Sequence, residues 1–202
     1  VIFISLILTA CAGTSAGNFA QARDPLASSQ GIILTSIGTA QSPSDGYGGY
    51  FLKIRNLRTK DIQIIEVIPR CILERCKKMH LQVPSGITLL HAASLEAGDY
   101  ELFQVGAGSD LGTTTYGFQS KENFSYRFSI ISNEITYLGS YLHDPRTVGI
   151  SLVTKLPPGP YVVSNELERD KAKFIESRPE FSSTKITSSL PGQGISPLLV
   201  IK

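Results

Sequence analysis

The chain has 202 residues, room for one domain of ordinary size or two small ones. Hydrophobic residues make up 42% and charged residues 18%, which argues against a disordered chain. Nineteen basic and 17 acidic residues leave a net charge of +2, without the basic face of a dedicated nucleic-acid binder.

Residues 1–8 (VIFISLIL) are apolar except for Ser5. As a helix this run spans about 12 Å, too short for a ~30 Å hydrocarbon core. It fits the apolar core of an export signal, whose basic leader would precede it. The single methionine is Met79, so the chain is expected to begin inside a longer precursor. The run closes on Leu8-Thr9-Ala10-Cys11, which resembles the lipobox of bacterial lipoproteins. That resemblance implies cleavage before Cys11 and acylation of its thiol and new amine, leaving residues 1–10 as a signal remnant. The alternative is a buried N-terminal strand with an inert core cysteine. Residues 12–30 are rich in Ala, Ser, Gly and Gln, so residues 11–30 are expected to form a flexible tether. Asp is absent from position 12, and the resemblance then implies an outer-membrane lipid anchor facing the periplasm.

Residues 31–202 are expected to fold as a single domain. Short apolar runs separated by turn residues predict strands at 31–39, 50–55, 61–68, 87–91 and 100–105. Residues 124–130 (FSYRFSI) alternate with period two, placing Phe124, Tyr126, Phe128 and Ile130 on one face. Further strands are predicted at 135–142, 148–154 and 198–201. One helix is predicted over 166–178, with Asn165 as N-cap and Glu168 completing a capping box. Leu167, Phe174 and Ile175 share its apolar face, while Arg169, Asp170 and Lys173 are expected to point away. Arg178-Pro179 stops the helix. The expected fold is an all-β antiparallel sandwich with this helix on or beside it.

Residues 95–102 (LEAGDYEL), 124–128 (FSYRF) and 135–139 (ITYLG) resemble segments of envelope lipoproteins with a prealbumin-like or carboxypeptidase-regulatory-like sandwich core. Residues 169–181 (RDKAKFIESRPEF) are similar to a C-terminal segment of the same lipoproteins. The resemblance covers residues 85–181, implies a β-sandwich, and carries no assigned activity.

Cys71 and Cys76 (CILERC) are expected to pair in an oxidising periplasm, for a gain of roughly 2 kcal/mol. Two free thiols, or redox or metal chemistry, are the alternatives. Cys71, Cys76 and His80 are the nearest approach to a ligand set, and His80, His91 and His143 show no ligand spacing among themselves. Residues 143–146 (HDPR) read as a turn. Residues 106–117 lack the Gly-Lys-Ser/Thr ending of a phosphate loop and read as a long hairpin tip. The Ser-x-x-Lys match at 182–185 falls in a loop without its partner motifs. Arg70, Arg75, Lys77 and Lys78 form a basic patch, read as a solvated face or as a contact for anionic head groups or an acidic partner.

No catalytic residue, metal or cofactor is expected. The sequence points first to a membrane-anchored structural or interaction module with an envelope protein partner. A small-ligand or glycan-binding module is the alternative, with Tyr47, Tyr50 and Tyr116 as platforms. An envelope enzyme ranks last.

Overall fold

A computed structural model describes residues 28–40, 49–67, 80–83, 86–110, 115–120, 124–144, 159–193 and 199–201. The strands in chain order are β1 (Gln30–Thr39), β2 (Gly49–Asn56), β3 (Ile62–Val67), β4 (His80–Val83), β5 (Gly86–Glu96) and β6 (Gly98–Asp110). They continue with β7 (Thr115–Gln119), β8 (Tyr126–Ile130), β9 (Ile135–His143) and β10 (Tyr161–Ser164). Helix α1 (Leu167–Ser177) and a 3-10 turn (Pro179–Phe181) follow, then β11 (Ile186–Ser188) and β12 (Leu199–Ile201).

The strands form two sheets. Sheet I runs β12-β10-β9-β1-β5-β4, with β11 pairing the first half of β9. Sheet II runs β3-β2-β6-β7, with β8 beside β7 on the same edge of β6. Among the described residues the chain is therefore mostly β with one α-helix, as its turn-punctuated apolar runs predict. Sheet I is mixed rather than antiparallel: β1 runs parallel to β9, β10 to β12, and β11 to β9.

Residues of both sheets contribute to one apolar cluster, including Ile33, Ile37, Leu52, Ile54, Leu102, Phe128 and Leu138. A second cluster lies on the other face of sheet I, where Ile32, Leu34, Leu90, Ile135 and Tyr137 meet Phe174 and Phe181. Strand β1 is thus covered on both faces. Its near-continuous apolar run, buried from Gly31 to Thr39, fits that position better than alternation would. Strand β8 alternates buried and exposed from Tyr126 to Ile130, as its period-two pattern requires.

Several elements depart from the sequence expectations. The predicted strand at 87–91 runs on to Glu96, and the one at 100–105 runs on to Asp110. Gly106 and Gly108 therefore lie inside β6, paired with β7, not in a hairpin tip. A glycine in a strand interior allows close backbone approach, and Gly106 uses it: its carbonyl accepts the Tyr161 hydroxyl at 2.6 Å. His143 is the last residue of β9, not part of a turn. The predicted strand at 148–154 lies outside the described residues. The helix begins one residue later than expected, with Glu166 as N-cap and no side-chain cap from it. Asn165 Oδ1 instead accepts the Leu167 N–H at 3.3 Å.

Candidate functional site

The densest polar cluster among the described residues lies between sheet I and α1, and a β-bulge creates it. In the parallel β1–β9 pair, Leu34 stands opposite Tyr137 and Ser36 opposite Ser140, so Thr35 faces both Leu138 and Gly139. Gly139 has φ +103°, a region that L side chains seldom adopt. The Thr35 hydroxyl donates to the Gly139 carbonyl at 2.8 Å, closing the bulge. The extra residue re-aims the strand, and Tyr137 and Ser140 both project toward the helix.

Asp170, on the first turns of α1, meets them with no exposed surface. Its Oδ2 accepts the Ser36 hydroxyl at 2.7 Å and the Tyr137 hydroxyl at 3.0 Å. Its Oδ1 accepts Arg169 Nε at 2.8 Å and Nη2 at 2.7 Å. Arg169 Nη2 also reaches the hydroxyls of Ser36 and Ser140, each at 3.1 Å. The two serine oxygens are 2.9 Å apart. The Ser36 hydroxyl carries one proton and gives it to the carboxylate, so Ser140 donates to Ser36. The Tyr137 oxygen accepts the Glu166 N–H at 3.2 Å, satisfying a donor at the start of the helix.

Burial pushes Asp170 up, while Ser36, Arg169 and Tyr137 each pull it down. Tyr137 is raised by burial and then by the charge of Asp170, so it keeps its proton and acts as donor. Every hydroxyl in the cluster is thus committed to a neighbour. The arrangement holds one negative charge against one guanidinium and ties the start of α1 to β1 and β9.

A second polar seam crosses the core between the sheets. The Tyr50 and His143 rings are 5.4 Å apart, and His143 is 5.4 Å from Tyr161 in edge geometry. His91 is 2% exposed, and its Nδ1 has no hydrogen-bond partner among the described residues. Burial lowers both His91 and His143 to about 4, with Asp144 opposing the shift at His143.

The residues singled out in the sequence are placed unevenly. Tyr50 is fully buried, pointing into the core between the sheets, so it is no surface platform. Tyr116 falls in β7, with its side chain outside the described residues, as is Tyr47. Cys11, Cys71, Cys76, Arg70, Arg75, Lys77 and Lys78 also lie outside the described residues. Lys185 of the Ser-x-x-Lys match pairs with Glu134 at 2.8 Å on the surface. No group of three or more metal-ligating side chains occurs among the described residues.

Asp170 was expected on the solvent side of the helix, and its burial is a correction. The signal that could have found it is its spacing. Leu167, Asp170 and Phe174 stand at i, i+3 and i+7, so the acid lies on the apolar stripe itself. Ser36 and Ser140 carried no comparable signal, because the bulge that joins them is a property of strand pairing.

No family model and no curated protein matches the chain. Among solved structures, a leucine-rich repeat protein from Bacteroides thetaiotaomicron is similar at 15% identity and a TM-score of 0.34 over 62% of this chain. The chain spans 14% of that protein's length.

Proposed function

We propose that this protein is a lipid-anchored envelope lipoprotein with a prealbumin-like sandwich, acting as a structural or protein-interaction module without catalysis. The anchor rests on the apolar run ending in Thr9-Ala10-Cys11 and the tether composition behind it. Each buried methylene contributes ~0.8 kcal/mol, so several acyl chains on Cys11 hold the protein on a membrane.

The observation that carries the interaction role is an asymmetry between the sheets. The Asp170 cluster seats α1 over the outer face of sheet I. On sheet II the edge strand β3 presents Ile62 at 56% and Ile64 at 46% exposure. Paired isoleucines on one strand face make apolar contact area of the kind partner proteins cover. The burial of Tyr50 takes away one of the three rings on which glycan binding would depend.

Metabolic labelling with a palmitate analogue, followed by crosslinking from membranes, tests the proposal. The label is expected to enter wild type and not Cys11→Ala, and a protein partner is expected to be recovered. Equal labelling of the two would overturn the anchor. Saturable binding to a glycan array with no protein partner would replace the interaction role.

A further inference from the structure

Strand β3 pairs with β2 on one edge, and among the described residues nothing pairs with its other edge. Asn56 N–H donates to the Asp61 carbonyl at 2.9 Å, which sets the phase of the ladder. Asp61, Gln63, Ile65 and Val67 therefore exchange backbone bonds with β2. The N–H and C=O groups of Ile62, Ile64 and Glu66 point to the free edge. Their side chains share the outer face of sheet II, where Ile64 stands opposite Lys53 and Ile62 opposite Arg55. An unpaired edge strand with exposed apolar side chains, here the six residues of β3, is a template for another strand.

We infer that the occupant of this edge is β3 of a second copy of this chain, paired antiparallel about a two-fold axis at Gln63. The inference deepens the interaction-module reading and rests on it. The phase of the ladder allows only registers in which the outward-bonding residues face one another. Centred on Gln63, the register sets Ile62 opposite Ile64 of the other copy, each pair exchanging both backbone bonds. The isoleucines of the two copies then meet on one face. The same register brings Lys60, the exposed left-handed residue (φ +67°) that closes the hairpin loop two positions before β3, near Glu66 of the other copy, twice by symmetry. Centring on Ile64 instead would place Ile62 against Glu66 and lose that charge match. Neither Lys60 nor Glu66 has an ion pair among the described residues.

The test is oxidative crosslinking of the full chain in its native membrane. Gln63 is the self-opposed, non-hydrogen-bonded position, where Cα atoms lie about 4.5 Å apart. Gln63→Cys is expected to give a disulfide-linked dimer, and Arg58→Cys is not. Lys60→Glu or Glu66→Lys alone opposes like charges and is expected to weaken dimerisation on the order of tenfold. The two together restore it. The charge variants are also read by analytical ultracentrifugation without the added cysteine, so the result does not depend on Gln63→Cys folding. Absence of the dimer, or a dimer indifferent to the single charge reversals, overturns the pairing. So does failure of the double reversal to restore it, or an adduct at position 63 with a different protein. A monomer that still carries lipid on Cys11 sinks the self-pairing and leaves the anchored module standing.

Discussion

At Asp170 a carboxylate without exposed surface is met by donors from three elements: Ser36 on β1, Tyr137 on β9 and its own neighbour Arg169 on α1. Loss of the carboxylate strands the buried Ser36 and Tyr137 hydroxyls, a penalty of ~1–3 kcal/mol, while Arg169 is 26% exposed and keeps Glu166 at 3.7 Å. Asp170→Ala is therefore expected to cost about that much, seen as a lower midpoint in urea unfolding. Tyr137→Phe removes one hydrogen bond to the charge and the acceptor of the Glu166 N–H, and is expected to cost about 1.5–3 kcal/mol. A loss below about 0.5 kcal/mol in both, the range of ordinary surface substitutions, would show that the cluster contributes little to holding the helix. Glu101 on β6 is a milder case. Ser125 first, and then Arg55, hold it below its usual range on a face that remains partly open.

Among the elements, β9 sets the geometry of the cluster through its bulge. At Gly139 a Cβ would stand 2.8 Å from the flexible Leu190 Cδ2, but the backbone at φ +103° is the harder constraint. Gly139→Ala is expected to cost about 1–3 kcal/mol from the dihedral alone. It should also speed amide hydrogen exchange across 167–177, because Tyr137 and Ser140 lose their aim. Exchange in the helix unchanged from wild type would separate the bulge from the helix.

The same scale shows what the sequence made legible. The alternation at 124–130 and the helix ending at Arg178-Pro179 are local patterns, and both appear in the structure. The tail strand predicted at 198–201 appears as β12. Strands β10 and β11, of four and three residues, are held by β9 rather than by any periodicity of their own. The glycines at 106 and 108 suggested a turn, but long pairing with β2 and β7 overrides that preference. The parallel β1–β9 pairing joins residues about a hundred positions apart, and no window along the chain displays it. Asp170 was hidden for a related reason: a charged residue on an apolar stripe reads as exposed until its partners from β1 and β9 are known.

For the whole molecule, the neutral histidines inside the core make stability depend on pH. The unfolded chain takes up protons on His91 and His143 near pH 6.5, while the fold resists until about 4. Between those values the unfolded state binds more protons, so stability falls as pH falls, by up to about 3 kcal/mol per histidine. Asp170 runs the other way. Raised by burial, it binds its proton more readily in the fold, so its protonation returns part of that loss. Urea unfolding at neutral and mildly acidic pH should show the net decline, and His91→Leu should remove about half of its slope. A stability independent of pH across this window would contradict the burial of both rings.

The central claim is that the β-rich body is a module carried on a lipidated Cys11. Its most direct test is the intact mass of the protein recovered from cell membranes after expression of the full-length protein. The account predicts a chain that begins at Cys11 with added acyl mass, and loss of that mass in Cys11→Ala. An unmodified chain that retains residues 1–10 would contradict it.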